Sequence, residues 1–159
     1  MPPHFPVKIL VDADSCPRDA RELVVRCSKR RGLQAIFAAN RPIQELTGEN
    51  ILFELCPAGE NAADDRIAEL AEPGDLAVSR DLALAKRLLE KDVTVIDDRG
   101  RLFSRDSIDE LLSLRDFTVG LAESGLGMER TARYGRKERK AFADSLDREL
   151  TKLTVNSEQ

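Results

Sequence analysis

The sequence predicts an α/β protein with three layers, α/β/α, around a mostly parallel sheet, and with helices closing the chain. Three observations lead there. Short, mainly apolar runs recur at 7–11, 33–37, 51–55, 76–79 and 93–96, and such runs read as strands covered on both faces. Stretches with apolar residues at helical spacing lie between them, and strands alternating with helices at this rhythm form parallel sheets. Carboxylates recur where the strands end, at Asp12, Asp81 and Asp97.

In chain order, the first run ends in Asp12-Ala13-Asp14, and Pro17 suits the first turn of a helix. Ala20, Leu23, Val24 and Cys27 continue that helix until Gly32 stops it. Residues 33–37 form the second strand, Asn40-Arg41-Pro42 a turn, and a loop runs to Asn50 before the third strand at 51–55. A helix follows over 62–71, stopped by Glu72-Pro73-Gly74. Asp75 leads into the strand at 76–79, and Leu82, Ala85, Leu88 and Leu89 mark the next helix. The strand at 93–96 closes in Asp97-Asp98-Arg99-Gly100, a turn signature.

From Asp106 the chain turns helical, with Ile108, Leu111, Leu112 and Leu114 on one stripe. Gly120, Gly125 and Gly127 are expected to loosen it. The segment 129–140 carries six basic residues against two glutamates, and Phe142, Leu146, Leu150 and Leu153 space a final amphipathic helix. The expectation is one domain over 1–159, with a basic helical segment from about residue 125.

The 159 residues suit a single core, and a net charge of −4 excludes a globally basic nucleic-acid binder but not a local basic patch. Cys16, Cys27 and Cys56 are too few and too scattered for a disulfide framework, which fits a reducing cytosol. No segment has the apolar length of a membrane span, and the start lacks a secretory pattern, so a cytoplasmic location is expected. His4 is the only histidine, so a histidine-based dyad or triad has no basis. Cys16, at a helix start, is either a low-pKa thiol or a small packed one. No glycine-rich phosphate loop is present.

Parallel strand ends share one edge, where ligands of open α/β sheets bind. Asp12, Asp14, Asp64, Asp65, Asp81, Asp97 and Asp98 are all expected there. Gathered carboxylates repel one another, and a hard divalent cation such as Mg²⁺ or Mn²⁺ neutralises them. Most also have a local explanation, but Asp12, at the end of a buried strand, is left without one. Asp14 or Ser15 suits a helix cap, Asn61 with Asp64 suits another, Asp81 suits a third, and Asp97-Asp98 suits a turn. Asn40, neutral at the end of the second strand, suits orienting a water or a phosphate.

Five stretches carry a resemblance: Val11-Asp12-Ala13-Asp14-Ser15-Cys16-Pro17, Ala39-Asn40-Arg41-Pro42, Ala62-Ala63-Asp64-Asp65-Arg66-Ile67-Ala68, Ser79-Arg80-Asp81-Leu82-Ala83-Leu84-Ala85 and Asp97-Asp98-Arg99-Gly100. In this order they resemble the YaiI/YqxD family of bacterial proteins, over most of the chain to about the last helix. That family is similar in turn to PIN-like domains, many of which are metal-dependent ribonucleases. The resemblance implies a PIN-like domain in which Asp12, Asp64, Asp81 and Asp97 match the metal-holding acids. Asp14, Cys16 and Asp65 belong to the narrower family's pattern and depart from the general PIN one.

The leading expectation is therefore a metal-dependent nuclease hydrolysing RNA phosphodiesters. Asp12, Asp64 and Asp81 would hold Mg²⁺ or Mn²⁺, and Asp14 or Asp65 would complete the shell through water or position the attacking water. Arg136, Lys137, Arg139 and Lys140 would hold single-stranded RNA by its phosphates, or form a solvated helix face. With six Phe, one Tyr and no Trp, base stacking is limited. One alternative is a haloacid-dehalogenase-type phosphatase with Asp12 as nucleophile, against which stands the short link from Asp14 to Pro17. The other is a non-catalytic RNA- or protein-binding module. Oligomeric state is not specified by the sequence.

Overall fold

The computed structural model describes residues 7–44, 46–57, 59, 61–123 and 133–157, without the side chains of 116–123, 156 and 157. Five strands, β1 (Lys8–Asp12), β2 (Gln34–Ala39), β3 (Ile51–Leu55), β4 (Leu76–Val78) and β5 (Thr94–Ile96), form one sheet in the order β3-β2-β1-β4-β5. Every pairing is parallel, with Val11 beside Phe37 on one side and Val78 on the other. The order reverses at β1: the chain first builds outward through β2 and β3, then crosses back to β4 and β5. The crevice beyond the ends of β1 and β4 is thus the topological switch point.

The helices are α1 (Arg18–Arg31), α2 (Ala62–Leu70), α3 (Leu82–Glu90), α4 (Arg105–Glu123) and α5 (Arg136–Ser157). Alternation along the strands divides the core in two. Ile9, Val11, Phe37 and Val78 face one way, onto Ala20 and Val24 of α1 and Phe142, Leu146 and Leu150 of α5. Leu10, Ile36, Ala77 and Val95 face the other way, onto Ile67 of α2, Leu84 and Leu88 of α3 and Ile108 of α4. This is the three-layer α/β/α arrangement that the alternation of strands and helices predicts.

Details differ from expectation where tertiary packing overrides local preference. Pro17 is the residue before the first turn of α1, not inside it, and no side chain caps that end. Gly32 stops α1 in the left-handed conformation, φ 66°, returning its N–H to the Ser28 carbonyl. β2 runs on to Ala39, past the predicted end at 37, because β3 continues to pair with it through Leu55. Gly120 does not loosen the chain: α4 continues through it to Glu123, since one glycine costs a long helix only about 1 kcal/mol. Gly125, Gly127, Glu129 and Arg130 lie outside the described residues.

Candidate active site

β1 ends in Asp12, 6% exposed, and a 3₁₀ turn over Ala13–Ser15 leads almost directly to α1. Burial pushes the Asp12 carboxyl above its ordinary value, and the nearby charges of Asp14 and Asp81 push the same way. Two hydroxyls oppose this. Ser15 Oγ and Ser79 Oγ both donate to Asp12 Oδ2, at 3.0 and 3.1 Å. Ser79 Oγ also accepts the Asp81 N–H at 3.0 Å, so one buried hydroxyl ties the end of β1 to the start of α3.

Asp81 does cap α3, accepting the Leu84 N–H at 3.1 Å. Its side chain has a second role: Asp64, on the first turn of α2, hydrogen-bonds to it, and the Asp64 carboxyl is pushed up to about 7. Burial is the largest cause, followed by the bond to Asp81 and by the charges of Asp12 and Asp81. Crowding of like charges in a partly buried place raises a carboxyl in this way.

Asp14 stands at the rim, accepting the Asn40 N–H at 2.7 Å, with the Arg41 guanidinium 3.6 Å away. An open cleft of about 220 Å³ is lined by Asp12, Asp14, Ser15, Asn40, Asn61, Ala63 and Asp64. Asn61 takes the left-handed conformation before α2, φ 69°, and makes no side-chain cap bond, so its amide belongs to the cleft wall rather than to the helix end.

The other predicted residues lie elsewhere. Asp65 turns from the cleft to an exposed ion pair with Arg87, 2.8 Å. Asp97 Oδ1 accepts the N–H groups of Arg99 and Arg101, both at 2.9 Å, which closes the turn after β5, and its pocket is a neighbouring one. Arg136, Lys137, Arg139 and Lys140 are exposed on the first turns of α5, with Lys140 paired to Asp144 at 2.8 Å. Cys16 is sealed: burial pushes its thiol up to about 12, so the packed reading holds and the low-pKa one does not.

The sequence reading gave Ser15 and Asn61 only as helix caps, though neither side chain caps a helix, and did not single out Ser79. A serine closing an apolar strand immediately before Arg-Asp was the available signal for Ser79.

The donor set is all oxygen, the chemistry that suits a hard divalent cation. Asp12, Asp64 and Asp81 act on one another electrostatically. Among the described residues, however, no three His, Cys, Asp or Glu side chains are grouped so as to hold a metal ion. Asp12 is occupied by hydroxyls, and Asp64 and Asp81 by each other.

Fold and cleft together define a parallel α/β/α protein with a carboxylate-lined crevice at its switch point. The chain belongs to the family described as "Uncharacterized BCR, YaiI/YqxD family", whose model matches residues 10–152. It is similar to a UPF0178 protein of Treponema pallidum (strain Nichols), 43% identical, with 90% of this chain and 81% of that one covered. UPF0178 proteins of Syntrophobacter fumaroxidans and Myxococcus xanthus are each 40% identical, with 92% of this chain covered and 95% and 96% of theirs. No solved structure matches significantly. Among the described residues no helix is long and apolar enough to cross a membrane.

Proposed function

We propose that the chain is a metal-dependent phosphodiesterase acting on single-stranded RNA at the crevice beside Asp12. The observation that carries this reading is that Asp12, Asp14 and Asp64 line one open cleft at the switch point, with Asp81 bonded to Asp64 beside it. In this reading Asp12, Asp64 and Asp81 would hold Mg²⁺ or Mn²⁺, with Asp64 in its ionised form. When bound, the cation would activate a water and stabilise charge developing on the phosphate. Asp14, steadied by the Asn40 N–H, would orient that water, and Asn40 and Asn61, in the cleft wall, would supply neutral polar groups to a phosphate. Ser15 and Ser79 hold the Asp12 carboxylate in one orientation. Asp97, Asp65 and the basic turns of α5 stay outside the cleft and contribute by charge rather than by contact. The phosphatase alternative has less support, because a single 3₁₀ turn and two residues separate Asp12 from α1, leaving no insertion to cover a small substrate.

The test is turnover of labelled single-stranded RNA with Mn²⁺, beside a thermal melt with and without the metal. Cleavage and a raised melting temperature are expected, with both lost in Asp12→Asn and Asp81→Asn, and with a smaller loss in Asp97→Asn. Hydrolysis of small phosphate monoesters with beryllium fluoride trapped at Asp12 would overturn the reading in favour of a phospho-aspartate enzyme. Metal binding without turnover on either substrate would favour the binding module.

A further inference from the structure

We propose that Arg80 and Asp98 are positioning residues of the acidic cleft: their ion pair fixes the link Ser79–Asp81 and so sets where Ser79 and Asp81 stand against Asp12 and Asp64. The catalytic consequence rests on the nuclease reading; the geometric one does not. The link is the stretch between the end of β4 at Val78 and the start of α3 at Leu82. Its first and last residues both serve the cleft. Ser79 Oγ donates to Asp12 Oδ2 at 3.1 Å and accepts the Asp81 N–H at 3.0 Å. Asp81 caps α3 and bonds to Asp64. Extended backbone sends alternate side chains to opposite sides, and Arg80, between the two, reaches the other way, to the turn after β5.

There it meets a fixed post. Arg80 donates through Nε to Asp98 Oδ1 at 2.8 Å and through Nη2 to Oδ2, a two-point match that sets the guanidinium's direction as well as its distance. Asp98 is 2% exposed, and the turn that carries it is tightly closed. Asp97 Oδ1 accepts the N–H groups of Arg99 and Arg101, and the Gly100 N–H donates to the Asp97 carbonyl at 3.1 Å. Gly100 stands at φ 87°, and a Cβ added there would lie 2.5 Å from the Ala141 carbonyl oxygen of α5, so the turn is packed directly on that helix. The sheet reaches the link at its start, where the Ser79 N–H donates to the Ile96 carbonyl at 3.1 Å, and the ion pair grips it one residue further on. A buried ion pair contributes little net stability, because desolvating both charges offsets their attraction. Its contribution here is registry: it carries the position of the turn after β5 to the two residues that meet Asp12 and Asp64.

Amide hydrogen exchange followed by NMR on the full chain reads the geometry, and turnover of labelled single-stranded RNA with Mn²⁺ reads its consequence. Arg80→Lys keeps the charge and loses the two-point match; Asp98→Asn keeps the shape and loses the charge. Each is expected to speed exchange about tenfold at the Asp81 and Leu84 amides, which bond to Ser79 Oγ and Asp81 Oδ1, with the Leu10 and Phe37 amides of the sheet unchanged. The kcat is expected to fall about tenfold or more with KM within about twofold, since a guanidinium committed to Asp98 does not hold substrate. Arg80→Met combined with Asp98→Leu covers the case in which a single variant does not fold: replacing both charges by apolar groups retains stability, and the same selective exchange and loss of kcat are expected. Unchanged exchange at Asp81 and Leu84 would overturn the proposal. So would a rise of equal size at all four amides, the mark of a pair that only stabilises, or an unchanged kcat in variants of a chain that does cleave RNA. The two readings separate. Selective exchange in a chain that never cuts RNA keeps the positioning of the link and defeats the nuclease. Cleavage intact in variants whose exchange is also unchanged keeps the nuclease and defeats the positioning role.

Discussion

Two of the buried aspartates, Asp75 at the amino edge of the sheet and Asp12 at its carboxyl edge, sit in opposite situations. At the amino edge, Asp75 is 3% exposed just before β4. It accepts the Lys8 N–H at 3.0 Å and the Glu72 N–H at 2.9 Å, and the Lys8 ammonium stands 3.0 Å from Oδ2. At the carboxyl edge, Asp12 is almost as buried, but the described residues give it two neutral hydroxyls on a single oxygen, with the charges of Asp14 and Asp81 close by. Burial alone does not mark a functional carboxylate. What differs is the partner the fold supplies: a cation and two backbone N–H groups for Asp75, two neutral hydroxyls for Asp12.

The largest expected effect breaks the structural side of this contrast. Asp75→Ala strands the Lys8 ammonium and two backbone N–H groups, and should cost about 3 kcal/mol of stability, read from the midpoint of urea unfolding. Asp12→Asn should change the same midpoint by less than about 1 kcal/mol, because it removes a buried charge that its neighbours already repel. In that variant RNA cleavage should fall by about 100-fold or more. Equal destabilisation by the two substitutions would erase the distinction and make Asp12 a structural residue.

A smaller effect sharpens the contrast through pH. Burial, and then the bond to Asp81 and the neighbouring charges, push the folded-state Asp64 carboxyl from its ordinary 3.8 up to about 7, so across that window the folded state binds more protons than the unfolded one. Stability must then decline as pH rises through the window, the reverse of a salt-bridged aspartate. Asp64→Asn removes this term. Its melting temperature should rise relative to wild type as pH increases, with the gap smallest near pH 4 and fully open above pH 7. A gap independent of pH would mean that the folded state does not raise the Asp64 carboxyl.

Much of the frame is legible in the sequence. The five strands, the stop at Gly32 and the helix start at Asp81 follow from local patterns, because each depends on side chains within one turn or one strand. The same patterns misled at Gly120, where a local breaker is overruled by the rest of α4. They were also too generous at Asp97 and Asp65: position at a strand end or in a helix's first turn says nothing about which way a carboxylate turns, and nearby N–H groups or an arginine claimed both.

What the sequence determined by itself is the alternation of strands and helices, and with it a parallel sheet whose ends share an edge, since apolar runs must be buried on both faces and parallel strands need crossovers. The tertiary structure decided the strand order, which puts β4 rather than β3 beside β1 and so sets Ser79 and Asp81 against Asp12. It also decided the division of that edge into a carboxylate cleft and, beside it, the pair of Arg80 with Asp98. These depend on contacts between residues as far apart as Asp12 and Ser79 or Arg80 and Asp98, and the partner a charged side chain takes is fixed by proximity and desolvation in the folded chain, neither of which is encoded in local spacing.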